Sequence, residues 1–266
     1  MVEFQQKTEI LINEFYKLKE EVNSLLEKEN VGKFSYLQYY LYFNYCPLFS
    51  FAESIIILCK NGKFNSANVL LRSLIEAHIN IVYHQLNNSN HKLATSAKAM
   101  FDQRIKILRE LKDLIRKYKN LESTDSTNLF SKAYLDKAEE FTQRDRQAIM
   151  RGNNLHEKDK DLDLKSKAIK CDDEFNKKIE KGHFERMYAL QYRYLSPYSH
   201  FDLEGIQSFV EKNGSGVYSF HEGSGGDVLI IEAIDICLAF SKDLFEEGVI
   251  KGKISQIDNI DKLLKE

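Results

Sequence analysis

The sequence predicts an all-α protein, a single-domain up-and-down bundle of eight to ten helices. Two observations carry this. Apolar residues recur at helical spacing along most of the chain, and 266 residues contain only two prolines and twelve glycines among abundant Leu, Ile, Lys and Glu. Short polar or Gly-containing breaks divide the periodic stretches into separate helices.

Taken in order, residues 3–29 place Phe4, Ile10, Leu11, Phe15, Leu18, Val22 and Leu25 on one helical stripe, with a break over 30–33. Residues 34–51 hold nine aromatics in eighteen positions. This reads as an amphipathic helix whose rings pack the core and whose hydroxyls reach the rim. Pro47 should kink or divide it, and Asn61-Gly62 should end it. Asn65 or Ser66 is the expected cap of the next helix, Ala67 to His84, the most apolar in the chain. A long amphipathic helix is predicted over 91–120 and another over 129–151. A polar, charged segment follows at 152–165, with the composition of a mobile loop. A short helix is predicted at 166–180. Ser196-Pro197 is a helix-restart signal. The glycine-rich stretch 213–226 suggests a small hairpin, Asp227 caps a long apolar helix, and residues 254–265 end the chain. The whole chain, 1–266, reads as one domain with its core at about 34–250.

A formal charge of −2 argues against a surface built around a nucleic-acid duplex, while allowing a local basic face. That face is 98–119, with eight Lys or Arg against three acids. Such a stretch suits a phosphate backbone or a solvated helix. Cys46, Cys59, Cys171 and Cys237 are scattered, as reduced thiols of a cytoplasmic protein would be. Charges interrupt the N-terminus where a signal peptide needs an apolar run. No uninterrupted apolar run of about 18 residues is present, so no membrane partner is expected.

The central helix carries the unusual residues. At 100° per residue, Arg72, Ser73, Glu76 and Asn80 form a narrow polar stripe on an otherwise apolar circumference. Arg72 and Glu76 are spaced to pair along the helix, and buried charge demands partners. His78 falls on the apolar arc, as a core histidine. A second segment, Gln191 to Asp202, offers Tyr192, Arg193, Ser196, Tyr198 and His200. Arginine can grip a phosphate, and a neutral histidine near a helix start can take a proton from a ribose 2′-hydroxyl. The same residues also suit structural roles, with Arg193 paired to Glu76. A di-iron site needs Glu-x-x-His on two helices, which is absent, and no hydrolase elbow or phosphate loop occurs. No metal and no cofactor are expected.

LLRSLIEAHINIVY followed by YRYLSPYSH resembles a widespread bacterial family of uncharacterised helical proteins with an R-S-x-x-E helix and a later Tyr/Ser-rich segment ending in histidine. More distantly, Arg193-x6-His200 is similar to the motif of HEPN domains, with Tyr194 where a small polar residue is usual and Pro197 within the motif. That likeness implies a metal-independent endoribonuclease acting in phage defence or as a toxin, with RNA as substrate and a homodimer sharing the site. It assigns Arg193 and His200 as catalytic, with Arg72, Glu76, Tyr192, Ser196 and Tyr198 in support. The other reading is a non-catalytic binding or regulatory module. There the polar cluster holds an anionic ligand or fixes helix packing.

Overall fold

The structure, a computed structural model, describes residues 2–125, 127–128, 130–174, 182–192, 210–212, 218–220 and 225–265. It is all-α: α1 (Val2–Leu26), α2 (Tyr36–Lys60), α3 (Phe64–Gln85), α4 (Ser89–Lys117), α5 (Lys132–Gly152), α6 (Leu164–Glu174), α7 (His183–Arg186), α8 (Gly226–Glu246) and α9 (Gln256–Lys265). A π-helical turn, Met187–Tyr192, extends α7. One antiparallel pair interrupts the helices: β1 (Val210–Lys212) meets β2 (Tyr218–Phe220), with Val210 opposite Phe220.

The chain packs as two compact units, Met1–Leu86 with Leu164–Glu266, and Asn87–Asp163. In the first, α3 is central, packed by α2, α6, α8 and the π-helical turn. Its Leu71, Leu74, Ile75, Ile79 and Val82 are buried, as are α8 residues Ile234, Leu238 and Phe240. Polar ties fix the frame: Gln85 donates to Asp243, and Gln38 donates to the carbonyls of Glu247 and Gly248 after α8. The core also reaches past residues 34–250 at both ends. Leu11, Phe15, Leu18 and Val22 of α1, and Ile260 of α9, are fully buried.

Local signals explain where the helices begin and end. Ser35 and Gln38 form a reciprocal capping box at the start of α2, and Gly62 takes a positive φ of 69° just after its end. Pro47 does not divide α2. It lies on the exposed side, where water can reach the backbone carbonyl left without a helical donor. Only part of the aromatic run packs inward. Phe49 stacks on Phe15 and Tyr45 donates to the Lys19 carbonyl, whereas Tyr36 and Phe43 are exposed. By length and composition α2 is apolar enough to cross a bilayer, a test that core helices of globular proteins also pass. Its buried face, including Leu41, Leu48, Ala52, Ile55 and Ile56, packs in the first unit.

No cap from Asn65 or Ser66 forms, because α3 starts earlier, at Phe64, without a side-chain cap. The Phe64 ring lies over Gly226, so close that a Cβ there would overlap it at 2.3 Å. Apolar docking thus sets this start. Likewise Gly225, at φ 88°, precedes α8, and Asp227 sits in the first turn.

The second unit is an antiparallel hairpin of α4 and α5. Leu108, Ile115 and Leu135 cluster in its core, flanked by Leu111 and Ala138, and Ala94, Ile105 and Leu155 are buried as well. Charges also brace it. Arg109 and Lys112 meet Glu139, and Arg146 bonds Asp102 and Glu157. The buried Lys98 donates to the carbonyls of Glu157 and Asp159, so the polar segment that follows α5 is held at several points.

Leu135→Ala should lower stability by about 2–4 kcal/mol. Denaturant unfolding together with hydrogen exchange over 105–115 checks this.

Candidate functional site

The polar stripe of α3 faces partners from two segments of the first unit, the π-helical turn and α6. Arg72 Nη2 donates to the Tyr192 hydroxyl at 2.8 Å, and that hydroxyl donates to Glu76 Oε2 at 3.3 Å. The Arg72 guanidinium also lies 4.4 Å from the Tyr192 ring centroid, within range of a cation–π contact. The expected direct pair of Arg72 with Glu76 is therefore replaced by a relay through a phenol 120 residues along the chain. Farther along, Asn80 accepts from the buried Lys167 of α6 at 2.9 Å and donates to the Glu76 carbonyl. Arg72 is half-buried, and Glu76 is exposed.

The π-helical turn is what presents Tyr192. Such a turn widens the helix and redirects the side chains that follow. Here Tyr188 stacks on Tyr192 with centroids 5.5 Å apart and planes 18° from parallel. Together the two rings and the Arg72 guanidinium make a layered contact against α3. Burial and the Glu76 charge push the Tyr192 phenol above its ordinary range, and Arg72 opposes them. The hydroxyl therefore remains protonated and able to donate to Glu76.

Buried polar atoms next to this contact lack partners. Among the described residues, Arg72 Nε has no acceptor and Gln191 Oε1 has no donor. Gln191 also hydrogen-bonds Glu232 of α8, whose carboxyl burial holds above its usual range. Sequence reasoning missed Tyr188, Gln191 and Glu232. Glu232 sits in an apolar run that reads as plain core, and only the folded chain brings it to Gln191.

His78 is in the core, as its position on the apolar arc implied, against the Phe184 ring at 5.8 Å. Its Nδ1 has no hydrogen-bond partner among the described residues, however. Arg193, Ser196, Tyr198 and His200 lie outside the described residues, so the site geometry comes from Arg72, Glu76 and Tyr192. Among the described residues, no group of His, Cys, Asp and Glu could hold a metal ion.

The His78 imidazole is pushed down from 6.5 to about 4, first by burial and then by the charge of His183. Between those values the unfolded chain holds a proton that the folded chain refuses, so acidification favours unfolding. Stability should fall by about 3 kcal/mol from this group as pH drops from 6.5 to 4. Denaturant midpoints across that range should show a flatter pH dependence in His78→Leu.

No curated protein and no solved structure matches the chain. One family model matches residues 38–217, a stretch that contains α3, the α4–α5 hairpin and Tyr192 but ends before Glu232. The chain belongs to that family, DUF5677, described as a family of unknown function.

Proposed function

We propose that the chain is a metal-independent endoribonuclease of the HEPN kind, serving phage defence or acting as a toxin, with Arg193 and His200 at the scissile phosphodiester. The observation that supports this reading is the seating of Tyr192. Arg193 follows directly in sequence a residue fixed to the central helix by Arg72 and Glu76. A catalytic segment needs such a rigid point of departure. Arg72 and Glu76 are then positioning residues, since Tyr192 engages both.

In this reading neutral His200 takes the proton of a ribose 2′-hydroxyl. The 2′-oxygen attacks phosphorus, the bond to the 5′-oxygen breaks, and the proton passes to that leaving oxygen. Arg193 holds the phosphate oxygens as charge develops on them. The products are a 2′,3′-cyclic phosphate and a 5′-hydroxyl end. By the same likeness, a second copy of the chain completes the site.

A second reading is a non-catalytic module in which the cluster fixes helix packing. It is favoured by the fact that both charged groups of the stripe meet a phenol of the chain itself, rather than lining an open site.

One experiment separates them. Single-stranded RNA is incubated with the purified chain in EDTA and, separately, in Mg²⁺. The ribonuclease reading expects equal cleavage in both, 2′,3′-cyclic phosphate ends, and a loss of about 100-fold or more in His200→Ala and Arg193→Ala. Intact RNA in both buffers rejects it and leaves the packing module.

A further inference from the structure

The α4–α5 hairpin segregates its charges. Residues 87–163 carry sixteen Lys and Arg against thirteen Asp and Glu, in a chain that is net −2 overall. Three acids lie together on one side of the helix seam. There Asp102, Asp136 and Glu139 are neutralised by Arg146, Lys112 and Arg109. At 100° per residue the opposite side of α4 presents Met100, Ile107, Leu114 and Tyr118, and that of α5 presents Tyr134 and Phe141. These are all exposed, Tyr118 at 45 % and Phe141 at 42 %.

The cations on this second side lie against rings rather than across from acids. Arg144 is 4.8 Å and Lys137 5.7 Å from the Phe141 centroid, and Lys117 is 5.2 Å from that of Tyr118. Arg104 is exposed on the same side. Two acids lie beside them, Asp145, 3.6 Å from Arg144, and the exposed Glu140, one helical turn before Arg144.

We infer that this outer face of the hairpin binds single-stranded RNA. The inference deepens the ribonuclease reading and rests on it for the choice of RNA over other polyanions. Exposed rings interleaved with cations supply the two things that a single strand needs: faces on which bases stack, and charge that follows the backbone. A solvated helix face explains the cations but not the rings beside them. A second copy fits the face less well, because apposing two surfaces of the same positive sign is repulsive.

The test uses the full chain and a fluorescein-labelled 2′-O-methyl oligouridylate. That ligand cannot be cleaved by 2′-hydroxyl attack, so binding is read apart from chemistry. Anisotropy at about 0.1 M salt should show binding that Lys137→Glu/Arg144→Glu weakens on the order of tenfold or more. The slope of log K against log salt should fall by about 1.4 for two lost phosphate contacts. Tyr118→Ser and Phe141→Ser should also weaken binding by about tenfold, with the salt slope unchanged. Lys137→Arg/Arg144→Lys, with the charge kept, should bind like the wild type, which excludes misfolding as the cause.

His200→Ala should bind normally. Binding without any cleavage of ordinary RNA would sink the ribonuclease reading and leave the hairpin assignment standing. Absent binding, or binding indifferent to the charge reversal, overturns the assignment. So does exclusive binding to vesicles of phosphatidylserine and phosphatidylcholine in a parallel flotation assay. Concentration-dependent dimerisation that protects residues 100–118 and 134–144 from hydrogen exchange overturns it as well, by giving the face to a second copy.

Discussion

The helix at the centre of the first unit cannot leave its charged stripe without answer. It packs against α2, α6, α8 and the π-helical turn, so most of its circumference is dry, and a charged group in such a place needs hydrogen-bond partners. Tyr192 answers Arg72 with both its hydroxyl and its ring, and passes a hydrogen bond on to Glu76. Lys167 answers Asn80. A hydrogen bond to a charged group contributes about 1.5–3 kcal/mol when buried. The exposure of Glu76 puts its share well below that. The geometric consequence outweighs the energetic one: the chain is held at the residue directly before Arg193.

The fold class and the place of α3 were legible in the sequence because both depend on periodicity. An all-round apolar helix with a narrow polar stripe has few ways to be covered, and the stripe does meet polar groups. The partner was not legible in the same way. Two side chains four apart invite a direct pair, whereas in the fold a phenol from 120 residues away stands between them. Nothing in the sequence announces a π-helical turn at Met187–Tyr192. That turn decides where Tyr192 points.

Helix ends show the same division. The glycine at 62 is where a stop was expected, since positive φ favours that residue. The start of α3 was misplaced because Phe64 docks against Gly226 of α8, a contact that no local signal encodes. The α4–α5 hairpin was legible as two amphipathic helices. The packing of Leu108 and Ile115 on Leu135, and the placing of Asp102, Asp136 and Glu139 on one side of the seam, appear only when the helices are paired. Charge counted along 98–119 hides this, because five of those eight cations are neutralised from α5 or from within α4.

His78 is enclosed, kept neutral by burial and faced by Phe184. The proposed ribonuclease reading therefore gives proton transfer to His200 and leaves His78 a place in the core. That assignment depends on the Arg72–Tyr192 contact as an anchor, and a double-mutant cycle on stability tests the contact directly. Arg72→Ala, Tyr192→Leu and the double variant are compared by denaturant unfolding. A coupling of about 1 kcal/mol or more supports the anchor, whereas additivity within about 0.3 kcal/mol would show that Tyr192 is not held by Arg72 and would contradict it.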